Sequence, residues 1–85
     1  RKLARHKLSE DVVVPRSRLS ELLRAVDRIS EASGVRMLSY GHAGDGNLHV
    51  NFLWNDASER PAVDGAIFEL MKATVALGGT LSGEH

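Results

Sequence analysis

The sequence predicts an α+β fold in which two helices alternate with short strands. Two stretches repeat apolar residues every three or four positions, which is typical of helices with one buried side. Short runs of β-branched or alternating apolar residues flank both stretches and indicate strands. A third observation is Gly44-Asp45-Gly46-Asn47 between two such runs, because Asp-Gly favours the positive φ angles of a tight hairpin.

Composition sets the limits of this fold. The chain has 85 residues, a formal net charge of +0, 42% hydrophobic residues and no cysteine. A chain of this size buries about 60–65% of its unfolded surface, so its core is modest. Without cysteine there are no disulfides or thiolate metal ligands, and the balanced charge gives no reason to expect nucleic acid as a partner. No apolar run reaches the about 20 residues that span a bilayer. We expect a cytoplasmic location or one peripheral to the inner membrane.

The first strand and the first helix are predicted from residues 11–34. Asp11–Pro15 is rich in valine and ends at proline, which is typical of a short buried strand. The basic residues before it are predicted to be a solvated lead-in. Ser17 is predicted to cap the first helix, and Gly34 is placed to end it in the left-handed conformation.

A hairpin follows the first helix. Val35–Tyr40 and Leu48–Trp54 are predicted strands, because both are apolar and β-branched or aromatic residues recur in them. Asn55–Ser58 is predicted to be a polar break.

The second helix and the last strand complete the order. The helix is predicted from about Glu59, with Pro61 in its first turn, where a missing N–H is tolerated. Gly78-Gly79 is predicted to end this helix before a fourth strand at residues 80–82. The order β-α-β-β-α-β predicts the ferredoxin-like arrangement, an antiparallel sheet with both helices on one face.

The hairpin places histidines on both sides of its turn. If the turn is centred on Asp45-Gly46, His42 and His49 are directly opposed, with Cβ atoms roughly 4.5–5.5 Å apart. Imidazole suits zinc and other divalent metals, so this pair is a candidate for half of a metal site. The alternative is that one histidine satisfies a backbone carbonyl and the other is exposed. Glu84 is the candidate third ligand if the fourth strand returns beside the hairpin, and His85 is a candidate general base.

Three segments together resemble the C-terminal (cap) domain of FAD-linked oxidases in the vanillyl-alcohol oxidase superfamily. They are Ser9–Ser17, Gly41–Asn51 and Gly78–His85. The family includes the glycolate oxidase D subunit, D-lactate dehydrogenase and D-2-hydroxyglutarate dehydrogenase. The resemblance implies oxidation of a D-2-hydroxy acid to the 2-oxo acid, with metal-assisted activation of the hydroxyl group and hydride transfer to FAD.

The same resemblance implies a role for individual residues. His42, His49 and Glu84 match the family's ligands for a divalent metal, often zinc. His85 matches the proposed base, and Asn51 matches an asparagine at the substrate site. One departure is Ser9, which stands where some members carry a lysine that binds the substrate carboxylate. Lys7 lies two residues away, and this role is not transferred to it.

The family's FAD-binding domain precedes the region that this chain resembles. We therefore expect residues 1–85 to be part of a cap domain and FAD to be bound by a domain that this chain lacks. The isolated chain is expected to be inactive, and an exposed sheet edge is expected to allow a homodimer.

Two other functions stay open at this point. One is a non-catalytic ferredoxin-like module that binds a metal or a small ligand for regulation. The other is a metal hydrolase, which would need activity without flavin.

Overall fold

The computed structural model describes residues 5–41 and 47–83. Its elements are β1 (His6–Val13), α1 (Leu19–Ser33), β2 (Arg36–Tyr40), β3 (Asn47–Trp54), α2 (Arg60–Ala76) and β4 (Thr80–Gly83). The strands form one antiparallel sheet in the order β2-β3-β1-β4. The predicted α+β fold with ferredoxin-like βαββαβ order is therefore confirmed.

The sheet has two chemically different faces because side chains alternate along each strand. Along β3, Leu48, Val50 and Phe52 point to one face and are at most 5% exposed. Both helices pack on this face. The buried core consists of Leu8, Val12, Val14, Leu22, Val26, Ile29, Val35, Leu48, Val50, Phe52, Trp54, Val63, Ala66 and Leu70.

The opposite face, which we call the open face, carries mostly polar side chains. Strand pairing places these residues on it: Lys7, Ser9, Asp11, Val13, Arg36, Leu38, Tyr40, Asn47, His49, Asn51, Leu53, Thr80 and Ser82. Neither helix contributes to this face in the part of the chain that the structure describes. The helix-covered face therefore supplies the core, and the open face is available for a site.

β1 begins earlier than predicted. It runs from His6 to Val13, not from Asp11 to Pro15, and pairs with β3 along its whole length, from His6 opposite Trp54 to Val13 opposite Asn47. Pairing with the central strand β3 holds the polar N-terminal half of β1 in the sheet, although its composition does not favour a strand. Glu10, in the middle of β1, is fully buried on the helix-covered face.

The start of α1 also differs from the prediction. Ser17 does not cap the helix, because it lies inside a 3-10 turn at Arg16–Arg18. Pro15 begins this turn with a φ of −55° and accepts a hydrogen bond from the Arg18 N–H at 2.8 Å. The end of the helix is as predicted, since Gly34 adopts the left-handed conformation with a φ of 74°.

The segment before α2 contains more structure than a polar break. The Asp56 side chain accepts a hydrogen bond from the Ser58 N–H, and the Glu59 carboxylate accepts one from the Asp56 N–H at 3.1 Å. This capping box begins a 3-10 turn at Ala57–Glu59, and α2 follows from Arg60, with proline in its first turn as predicted. No helix among residues 5–41 and 47–83 is long and apolar enough to cross a membrane.

Candidate active site

The register between β2 and β3 decides which side chains meet on the open face. Tyr40 lies opposite His49 and Leu38 lies opposite Asn51. The prediction that His42 is directly opposite His49 is therefore wrong, although His42 itself lies outside the described residues. A shift of two residues leaves every side chain on the same face of the sheet, so the apolar alternation did not distinguish the two registers.

Gly41 marks the point where the chain leaves β2. A Cβ at this position would overlap the carbonyl oxygen of Asn47 and lie 3.2 Å from the Cα of Leu48. Glycine permits this close approach of two backbones because it has no side chain. The backbones of β2 and β3 therefore lie in close contact at Gly41 and Asn47.

His49 lies on the central strand β3 and has a neighbour on each side. Its Nδ1 atom lies 2.5 Å from Oδ1 of Asp11, the residue directly opposite it on β1. The Tyr40 ring on β2 is tilted against the imidazole, with ring centroids 5.6 Å apart. The His49 side chain remains 48% exposed. It is thus oriented by its neighbours and still accessible from the open face.

Asn51 lies two residues along β3 from His49 and is only 8% exposed. Ser9 Oγ donates a hydrogen bond to Asn51 Oδ1 at 2.7 Å. Asn51 Nδ2 donates one to the hydroxyl oxygen of Tyr40 at 3.3 Å. Because both ends of the amide have partners, its orientation is fixed before any ligand binds.

These contacts join the side chains into one connected group, the open-face cluster. Its members are Ser9, Asp11, Tyr40, His49 and Asn51. A hollow of about 330 Å³ lies beside it, with Asp11, His49 and Ser82 among its lining residues. The sequence identified His49 and Asn51 as site residues but missed Asp11 and Tyr40. Strand alternation alone places all of them on one face, but their pairing follows only from the register.

His42, Glu84 and His85 lie outside the described residues. Within the described ranges, no three histidine, aspartate or glutamate side chains form a group that could hold a metal ion. His49 is the member of the predicted ligand set whose place is known.

Glu84 was predicted to be the third metal ligand on the condition that the fourth strand returns beside the hairpin, and β4 does not lie there. β4 returns beside β1, and β1 separates it from the β2–β3 hairpin. Ser82 lies opposite Asp11, which in turn lies opposite His49. The end of β4 therefore lies in the same part of the sheet as His49, with one strand between them.

Comparison with known proteins identifies one family. The model of the family described as FAD linked oxidases, C-terminal domain, matches residues 3–85. Glycolate oxidase subunit GlcD of Bacillus subtilis is 36% identical over 78 residues, which are 89% of this chain and 17% of that protein. D-lactate dehydrogenase of Archaeoglobus fulgidus is 37% identical over 79 residues, which are 88% of this chain and 17% of that protein.

A eukaryotic relative gives the same result. The mitochondrial D-lactate dehydrogenase [cytochrome] of Kluyveromyces lactis is 33% identical over 75 residues, which are 88% of this chain and 13% of that protein. The chain thus spans less than a fifth of the length of these curated relatives.

A solved structure supports the fold independently. A C-terminal segment of the alpha subunit of aIF2 from Pyrococcus abyssi matches with a TM-score of 0.64 and 11% sequence identity, over 96% of this chain and 51% of that chain. At this identity the match shows a shared fold and carries no functional argument.

Proposed function

This chain belongs to the family of FAD linked oxidases, C-terminal domain, and on that premise we propose that the protein carrying it oxidises a D-2-hydroxy acid to the 2-oxo acid. The substrate would be of the glycolate, D-lactate or D-2-hydroxyglutarate type. The observation that carries the proposal is the family match over residues 3–85. The open face adds support, because it holds His49 and Asn51 close together and oriented.

FAD would be bound by a domain outside this chain. When bound, FAD would accept the α-hydrogen of the substrate as a hydride with its two electrons, and the protein would supply binding, orientation and electrostatics. The part of the protein carried by this chain would present the substrate to the flavin from the open face.

A divalent metal, such as zinc, fits the donor arrangement at His49. A carboxylate on one ring nitrogen commonly orients a histidine whose other nitrogen binds zinc, and Asp11 lies in this relation to His49. His42 and Glu84 would be the other protein ligands. When bound, the metal would act as a Lewis acid that favours loss of the substrate hydroxyl proton.

The chain's own residues would bind the substrate and move its proton. His85 would be the general base that accepts the hydroxyl proton. Asn51 has a second N–H on Nδ2 besides the one that it donates to Tyr40, and this N–H would bind a substrate oxygen. Lys7 lies on the open face two residues from Ser9, and no role is assigned to it.

The test uses the full-length protein under anaerobic conditions. Its visible spectrum is followed while D- and L-2-hydroxy acids are added one at a time. We expect a flavin spectrum that is bleached either by glycolate, which has no enantiomers, or by a D-2-hydroxy acid and not by its L-enantiomer. The isolated chain, with added FAD, should cause no such oxidation and serves as the negative control.

Two results would contradict the proposal. A full-length protein without flavin absorption would favour a non-catalytic metal- or ligand-binding module. A flavin that stays oxidised with every 2-hydroxy acid would exclude the proposed substrate class.

A further inference from the structure

We propose that Asp11 is the positioning residue that fixes the orientation of His49 and presents its Nε2 atom to the metal. The observation behind this is the contact between Asp11 Oδ1 and His49 Nδ1. The inference rests on the proposed function, because it assigns a role in the metal site suggested there.

The backbone, and not only a side-chain rotamer, brings the two residues together. Asp11 and His49 are directly opposite in the antiparallel ladder of β1 and β3, the two central strands of the sheet. Directly opposed residues have Cβ atoms about 4.5–5.5 Å apart, which suits one hydrogen bond between these side chains. Groups held on strands are positioned more accurately than groups on loops.

The chemistry of the contact determines which nitrogen carries the proton. An ionised carboxylate accepts hydrogen bonds and cannot donate one, so Nδ1 of His49 is the donor. In the neutral imidazole, Nε2 then keeps its lone pair, and a lone pair is what a metal ligand needs. Asp11 thereby selects one of the two tautomers before the metal arrives.

Tyr40 restricts the imidazole from the other side. Its ring lies in the same cross-strand row as His49 and Asp11, and its centroid is 5.6 Å from that of the imidazole. The imidazole therefore lies between a hydrogen-bond acceptor on β1 and an aromatic ring on β2. With 48% of the His49 side chain exposed, an ion can approach from the open face.

The first experiment reads the tautomer in the metal-free full-length protein. The protein is labelled with ¹⁵N-histidine, and the His49 signals are identified by their loss in His49→Gln. We expect the Nδ1–H tautomer in the wild type and a larger Nε2–H population in Asp11→Asn, because the amide no longer requires a donor at Nδ1. Asp27→Asn, a change of the same kind on the exposed side of α1, should leave the spectrum unchanged. A wild type in the Nε2–H form overturns the inference.

The second experiment measures zinc affinity by competition with a chelator. Loss of such an orienting partner typically weakens metal affinity 10–100-fold, so we expect a decrease of about 10–100-fold in Asp11→Asn. Asp27→Asn should bind zinc as the wild type does.

The outcomes separate this inference from the proposed function. If the wild type is bleached by a D-2-hydroxy acid and binds zinc, but Asp11→Asn binds zinc equally well, only the role of Asp11 is overturned. If the wild type is bleached but has no zinc affinity, the metal site and the role of Asp11 are overturned together, and the flavoenzyme proposal stands. If the wild type binds zinc without bleaching, and Asp11→Asn binds it more weakly, the role of Asp11 is supported although the proposed reaction fails.

Discussion

Asn51 is the least exposed residue of the open-face cluster, and both ends of its amide are hydrogen-bonded. It is 8% exposed, although it lies on the face that no described helix covers. Ser9 and Tyr40 hold the two ends of its amide. A side chain that is fixed in this way loses little conformational freedom when it binds a ligand, which favours tight recognition.

Replacing Asn51 by alanine should therefore lower activity much more than it lowers stability. A hydrogen bond to a charged group contributes about 1.5–3 kcal/mol, so loss of the amide should lower kcat/KM about 10- to 100-fold. The measurement is the steady-state rate of flavin-dependent oxidation in the full-length protein, with the folded state of the variant checked by circular dichroism.

Tyr40→Phe provides the matched comparison for Asn51→Ala. It removes only the hydroxyl group that accepts a hydrogen bond from Asn51 and leaves the aromatic ring in place. A neutral hydrogen bond contributes about 0.5–1.5 kcal/mol, so kcat/KM should fall by about tenfold or less. An Asn51→Ala variant with wild-type kinetics would remove Asn51 from the substrate site.

At the scale of single elements, one glycine ends a helix and another lies inside a helix. Gly34 ends α1 with a φ of 74°, whereas Gly65 lies in the middle of α2. A Cβ added at either position would meet no atom within 4 Å. The two positions thus differ in backbone conformation and not in available space.

Alanine should consequently have opposite effects at these two glycines. Gly34→Ala forces a side chain into the left-handed conformation and should lower the free energy of unfolding by about 1–2 kcal/mol. Gly65→Ala gives a better helix former and should raise it by about 0.5–1 kcal/mol. Urea unfolding of the chain measures both. Destabilisation by both variants would mean that α2 has no room at Gly65, and stabilisation by both would contradict the left-handed end of α1.

Gly41 illustrates a different constraint, the close approach of two strands. Alanine here would place its Cβ against the Asn47 carbonyl, so β2 and β3 would have to separate. Overpacking of this kind typically costs about 1–3 kcal/mol, and we expect Gly41→Ala to lower the free energy of unfolding by that amount. Urea unfolding gives this value, with Gly65→Ala as the glycine substitution that the fold should tolerate. An unchanged stability would show that residues 41 and 47 are further apart than described.

The local elements were largely predictable from the sequence, and the pairing between them was not. Helical periodicity, the left-handed Gly34 and Pro61 in the first turn of α2 are local signals, and the structure confirms them. The early start of β1 and the Tyr40–His49 pairing depend on contacts between distant segments, which local propensity does not contain.

In the candidate site, too, the local signals were predictable from the sequence and the strand pairing was not. His49 and Asn51 were identified from the motif that surrounds them, and the roles of His42, Glu84 and His85 remain predictions. The partners Asp11 and Tyr40 became visible only with the register, because each lies on a different strand from the residue that it orients.

At the scale of the whole molecule, apolar surface is not confined to the core. The outer side of α2 carries Phe68, Met71 and Val75, which are 40–64% exposed. The sheet also has two edge strands: among the described residues, β2 and β4 each pair on one side only. Of the two, β2 carries the exposed apolar side chains Leu38 and Tyr40. An edge strand of this kind is a template for pairing with another chain.

The isolated chain should therefore form a homodimer in which the β2 edges of two copies pair. In sedimentation experiments we expect an apparent mass that rises with concentration towards that of a dimer. Leu38→Lys should weaken this association about tenfold or more, because antiparallel pairing about Leu38 brings two like charges together, which costs several kcal/mol. Val75→Lys also replaces an exposed apolar residue by lysine, but on α2 and away from the edge. This variant should dimerise as the wild type does. A wild type that stays monomeric at high concentration would contradict edge pairing, and equal weakening by both variants would indicate association through general apolar surface instead of the β2 edge.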